Sequence, residues 1–138
     1  MPTAYTTAGE FSETALIIEA TPAAAVTKGL VCVISPAAAP TAAITGATDA
    51  SQNGKYGVAI AAITAATAGR FVIYGEVGVE ASGNCYTGQI VYSIDGKALP
   101  RSRTTDAGFD FEACQALGTV TAGATSGNIC TVFVGLVV

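Results

Sequence analysis

The sequence predicts an all-β domain, a small barrel or sandwich, on three observations. Short apolar, β-branched runs recur along the chain, and Gly, Pro, Asn or Asp punctuates the gaps between them. The length of 138 residues fits one domain with a core that needs no metal or disulfide. Hydrophobic residues make up 51% of the chain and charged residues 12%. That balance argues against intrinsic disorder, which combines low hydrophobicity with high charge.

The elements follow in order. Residues 1–13 are rich in Thr and Ala, carry Tyr5 and Phe11, and show no clear period. They are expected to form a flexible N-terminal arm, with residues 14–138 as the single β-rich domain. Residues 14–19 read as the first strand. Residues 30–35 form the next, after the turn signal Thr27-Lys28-Gly29. Residues 41–45 make a weak strand between Pro40 and Gly46. Asn53-Gly54 closes a loop just before the strand at 56–63. Residues 70–80 are the longest strand candidate, and Gly75 and Gly78 within it mark a bulge or bend. Residues 89–94 end at the turn Asp95-Gly96, residues 118–121 form a weak strand, and 129–138 close the chain.

Two stretches leave room for a short helix. Residues 59–68 are alanine-rich, which favours a helix, but their β-branched residues oppose it. Residues 107–117 can hold one helical turn. A loose internal echo is also present. Thr67-Ala68-Gly69 leads into one apolar strand, and Thr121-Ala122-Gly123 leads, through Gly127, into another. Two copies are too few for a solenoid and fit repeated hairpin chemistry instead.

The chemistry available to such a chain is narrow. Histidine is absent, which removes the commonest general base and excludes Ser-His and Cys-His nucleophilic sites. No phosphate-binding loop occurs, because Gly54-Lys55 and Gly69-Arg70 lack the required glycine spacing. Asp106, Asp110 and Glu112 are close enough in sequence to act as paired carboxylates, but no positioned partner or motif accompanies them, so they read as a solvated loop or strand edge. Nothing matches the alternating acidic ligands of a calcium loop. Cys32, Cys85, Cys114 and Cys130 show no CxxC spacing, and a zinc site would need all four or carboxylate help. Cys32 and Cys130 lie in strand-like runs and read as small, reduced core residues. Phe71, Phe109, Phe111 and Phe133 are expected in the core, and the five tyrosines in the core or an interface. No cofactor is implied, and the chain is expected not to be an enzyme.

Net charge is −4, and the six basic residues are scattered apart from Arg101 and Arg103. Nucleic-acid binding needs a clustered basic surface, so none is expected. No apolar run approaches the roughly 20 residues of a membrane span, and the opening residues lack the pattern of a signal peptide, so cytoplasmic synthesis is expected. A monomer this poor in charge would expose large apolar patches, which usually mark interfaces. Self-association is the expected use of that surface.

One global pattern remains. Gly29-Leu30-Val31-Cys32-Val33 is followed by Gly57-Val58-Ala59-Ile60-Ala61-Ala62, then by Ala68-Gly69-Arg70-Phe71-Val72-Ile73-Tyr74-Gly75. Thr87-Gly88-Gln89-Ile90-Val91-Tyr92 then leads into Asp95-Gly96-Lys97-Ala98-Leu99-Pro100, and the chain ends on a glycine turn and Val132-Phe133-Val134. This order resembles the small capsid decoration, or cement, proteins of tailed bacteriophages, of the alanine- and glycine-rich β type. The resemblance spans roughly residues 14–138 and rests on order and composition rather than on a diagnostic residue. It implies a virion protein on the outer capsid surface that clamps neighbouring major capsid subunits, typically as a trimer and in some families as a dimer. Tyr5 and Phe11 on the arm, with Arg101 and Arg103, are then the expected capsid contacts. Another virion structural subunit, from a fibre, tail or appendage, is the alternative. A small hydrolase or sugar-binding domain is a weaker one, since the chain lacks both histidine and tryptophan.

Overall fold

The structure is a computed structural model that describes residues 4–35, 37–46, 55–100 and 115–135. It is all-β: nine strands and no helix among the described residues. They are β1 (Leu16–Pro22), β2 (Val31–Ser35), β3 (Thr41–Ile44), β4 (Lys55–Ala59), β5 (Gly69–Glu80), β6 (Ile90–Ile94), β7 (Lys97–Pro100), β8 (Gly118–Ala122) and β9 (Ile129–Val134).

The strands run β1-β3-β2-β4-β5-β9-β8-β6-β7, and β1 also pairs with β5. That extra pairing closes β1, β3, β2, β4 and β5 into a first ring. On the other side, β5, β9, β8, β6 and β7 form a second ring. A parallel bridge from Ala81 to Ala98 and the Ser82 N–H donating to the Ala98 carbonyl at 2.7 Å draw its ends together. The twelve-residue β5 belongs to both rings: Gly69–Tyr74 serve the first and Gly75–Glu80 the second.

Each ring has its own interior. Ala20, Cys32, Ile34, Ala42, Ala59 and Phe71, drawn from all five strands of the first ring, form one cluster. Val77, Val79, Val91, Ala98, Val120 and Val132 fill the second. That second cluster continues through Val31, Tyr56, Val58 and Val72, which belong to the first ring, so the two rings share one packed boundary. Fully burying a Val or Phe side chain contributes roughly 1.5–3 kcal/mol, and this seam is the main physical link between the halves. A polar link lies beside it. Buried Thr45 and Ser93 place their hydroxyl oxygens 2.7 Å apart, and the Gly96 N–H donates to Thr45 Oγ1 at 2.8 Å.

The internal echo in the sequence is real, but in a different register. In the first half the Gly29 N–H donates to the Ala59 carbonyl, the Ala59 N–H to Leu30, and the Leu30 N–H back to Thr27. In the second half Gly88, Val120, Gln89 and Tyr86 repeat the same three bonds. The double bridge of Val26 with Ile63 is matched by Cys85 with Ala124. The turn Thr64–Thr67 is matched by Thr125–Asn128. The two halves therefore repeat one hydrogen-bonding plan, which the pairing of Ala68-Gly69 with Ala122-Gly123 does not capture.

Other expectations resolve as follows. Residues 59–68 form no helix: β4 ends at Ala59, and the chain then bridges at Ile63 and turns at Ala66. Ring closure buries Ile60 and Ile63, so packing outweighs alanine propensity there. The expected bulge is present. Leu16 faces Tyr74 while Ile17 faces Val72, leaving Ile73 as the extra residue on β5, next to Gly75 at φ 125°. β7 is a strand with no clear strand signal in its sequence, joined to β6 by Asp95 (φ 49°) and Gly96 (φ 76°). Positive φ at both positions is the two-residue hairpin turn suited to strand twist. Asn53-Gly54 and most of 107–117 lie outside the described residues.

Candidate interaction surface

Residues 5–12 of the segment expected to be a flexible N-terminal arm lie against the folded body, chiefly along the second ring, with Ala8 and Gly9 also beside Gly29 and Ala59 of the first. The Gly9 N–H donates to the Gly78 carbonyl at 2.8 Å, the Gly78 N–H to Glu10 at 2.8 Å, and the Ser12 N–H to Glu76 at 3.0 Å. Phe11 bridges Val77. The reason is the edge of β5 at Glu76–Gly78, which β9 satisfies on one side only; residues 9–12 satisfy the other. Gly78 permits the close approach, since a Cβ there would meet the Thr7 carbonyl oxygen at 2.7 Å and Tyr5 Cβ at 3.2 Å.

Of the expected contact residues, Tyr5 is half-buried, with its N–H donating to Thr131 Oγ1 at 3.1 Å. Burial, then the nearby Glu76 and Glu10 carboxylates, raise the Tyr5 phenol above its ordinary pKa. Phe11 is 39% exposed. Arg101 and Arg103 lie outside the described residues, as do Asp106, Phe109, Asp110, Phe111 and Glu112. Phe71 is fully buried, as expected.

Phe133 differs from its expected core position. Its neighbours Val132 and Val134 point inward, so strand alternation turns Phe133 to the outer face, where it is half-buried. There it meets Tyr74 edge-to-face, with ring centroids 5.2 Å apart. Register extends this contact into a band across the strands. Leu16 on β1 stands opposite Tyr74 on β5, Phe133 on β9 stands opposite Thr119 on β8, and Thr119 stands opposite Ile90 on β6. Directly opposed residues share a face, so the five side chains form one outward stripe. Leu16 is 56% exposed, Tyr74 46% and Ile90 43%.

One end of the stripe opens into a cavity of about 300 Å³, lined by Leu16, Tyr56, Ile73, Tyr74, Leu117 and Val134, with Lys55 at its rim. Tyr56 is held there by its hydroxyl, which donates to the Gln115 carbonyl at 2.9 Å. Glu76 is the carboxylate beside the stripe, and it accepts from Thr121 Oγ1 at 3.4 Å. The exposed stripe is therefore mainly apolar and partly aromatic. Among the described residues, no group of three His, Cys, Asp or Glu side chains is placed to share a metal ion.

The fold defines a class: an all-β domain of two strand rings sharing one long strand. A solved structure has this fold, the N base of head fiber gp8.5 in bacteriophage phi29, which superposes with a TM-score of 0.59 at 16% identity over 87% of this chain and 93% of that one. No protein-family model matches the chain, and no curated protein matches it.

Proposed function

We propose that the chain is a structural, non-enzymatic subunit of a bacteriophage virion, carried on the head as part of an appendage of the fibre-base kind. The observation that carries this reading is the likeness to the phi29 head fiber base over nearly the whole of both chains. The surface suits the role: charged residues are 12% of the chain, and the Leu16–Tyr74–Phe133–Ile90 stripe offers apolar contact with little charge. We assign that stripe to packing against further copies of the chain, because a surface so poor in charge is best complemented by one of the same composition; a trimer is the form that the resemblance to capsid decoration proteins implies. The oligomer then binds the major capsid protein, and several weak contacts add through effective concentration.

A reconstruction of the intact particle at side-chain resolution tests the reading. Density for this fold on the head surface supports it, and density confined to a tail, or none, overturns it. For the self-contact, Tyr74→Glu with Phe133→Glu should leave the strand signature in circular dichroism intact and reduce the mass seen by light scattering to that of one chain. An unchanged oligomer in that variant removes the stripe from the assembly surface.

A further inference from the structure

Lys55 and Glu76 bring opposite charges to the stripe and the cavity at its end. Lys55 opens β4, is exposed, and stands at the cavity rim with Leu16, Tyr56 and Tyr74. Glu76 lies opposite Phe133 in the β5–β9 register, so its side chain shares the outer face with that ring. Tyr74 relates the two charges: it lines the cavity with Lys55, and strand alternation puts it on the same face as Glu76. Glu76 is half-buried, and its carboxylate accepts one long hydrogen bond, from Thr121 Oγ1 at 3.4 Å. An ionised carboxylate offers about four lone-pair sites, so one such bond leaves most of them open. Among the described residues the ion pair is Lys97 with Glu80, at 2.8 Å, and neither Lys55 nor Glu76 touches a countercharge.

We propose that Lys55 of one copy pairs with Glu76 of a second copy, and that this pair sets the register in which the stripes pack. The inference rests on the reading of the stripe as a self-contact. Apolar contact through Leu16, Tyr74, Phe133 and Ile90 is non-directional and fixes no register by itself. A cation and an anion on the same apolar face do fix one. In the paired register each charge gains a partner as water leaves, and in a shifted register each is desolvated alone. The sign pattern also selects the occupant. A second copy supplies both countercharges, whereas a purely acidic or purely basic partner supplies one.

Charge reversal in the full chain tests the pairing, with light scattering across a dilution series reading the dissociation constant. Lys55→Glu and Glu76→Lys should each raise that constant at least about tenfold, because like charges then meet. The double variant, Lys55→Glu with Glu76→Lys, exchanges the charges and should return the constant to near the wild-type value. Circular dichroism checks that each variant keeps its strands. A measurement on the unmodified protein stands beside these: carbodiimide treatment of mixed isotopically light and heavy chains should link Lys55 to Glu76 in a peptide pair with one light and one heavy half. Single reversals that dissociate no more readily than wild type, a double variant that stays dissociated, or the absence of the mixed-isotope link each overturn the pairing. Tyr74→Glu with Phe133→Glu separates the two readings. If that variant dissociates while the reversals do not, the stripe stands and the pairing falls. If the wild-type chain is itself a monomer, the face belongs to a different occupant, such as the capsid protein, and the pairing falls with the self-contact.

Discussion

At the scale of single residues, the fold depends on which side chain occupies the third position of its tight turns. In Thr7–Glu10, Thr27–Leu30, Tyr86–Gln89 and Thr125–Asn128, the fourth N–H donates to the first carbonyl and a glycine with φ between 85° and 90° stands third. Thr64–Thr67 has the same bond but places Ala66 there, at φ 60°. A Cβ in the left-handed region costs about 1–2 kcal/mol. Gly88→Ala should lose about that much, because nothing lies within 4 Å of the added carbon. Gly29→Ala should lose more, since its Cβ would stand 2.2 Å from Ala8 Cβ. Ala66→Gly should gain on the order of 0.5 kcal/mol, the relieved strain being partly offset by a freer unfolded chain. Urea denaturation of the three variants checks both order and sign.

At the scale of elements, most strands were legible because their β-branched runs end at Gly, Pro or Asp. The bulge at Gly75 was legible for the same local reason. What local chemistry did not reveal was partnership. β7 (Lys-Ala-Leu-Pro) is too short and mixed to read as a strand, and the Asp95-Gly96 turn and β6 hold it in place. Phe133 reads as core until its register shows that Val132 and Val134 take the inward positions. The surface stripe was invisible for that reason: Leu16, Tyr74, Phe133 and Ile90 are far apart in sequence and meet only through four strand pairings.

Residues 4–13 show the same limit, since their pattern alone gives no sign that β5 has an edge to fill. Their docking carries a pH response. Glu10 accepts from the Thr7 N–H at 2.7 Å and from the Thr6 N–H and hydroxyl at 3.3 Å, and these hydrogen bonds, that of Thr7 foremost, hold its carboxyl below the ordinary value of 4.5. A lowered folded-state pKa gives stability that is complete above the unfolded value and lost as pH falls through the folded one. The segment should therefore stay docked above pH 4.5 and loosen below it. NMR shifts of the Gly9 and Ser12 amides report this directly, and Glu10→Gln should flatten the response. Identical acid titrations in the two proteins would remove Glu10 as the cause.

At the scale of the whole molecule, two rings built on one hydrogen-bonding plan raise the question of whether they unfold as one unit. The shared strand and shared seam predict that they do. β5 supplies Phe71 to the first core and Val77 and Val79 to the second, and the seam residues Val31, Tyr56, Val58 and Val72 lose their packing when either ring opens. The chain carries a reporter in each ring: Cys32 in the first interior and Cys130 in the second, both fully buried. Under reducing conditions, pulsed alkylation across a urea gradient, read by mass spectrometry, should label both thiols at one midpoint. Phe71→Ala, which empties the first ring's largest core position, should cost about 3–5 kcal/mol. It should also move the Cys130 midpoint as far as that of Cys32. A Cys130 midpoint that stays in place would mean that the second ring stands alone, and that the common strand joins two independent folding units.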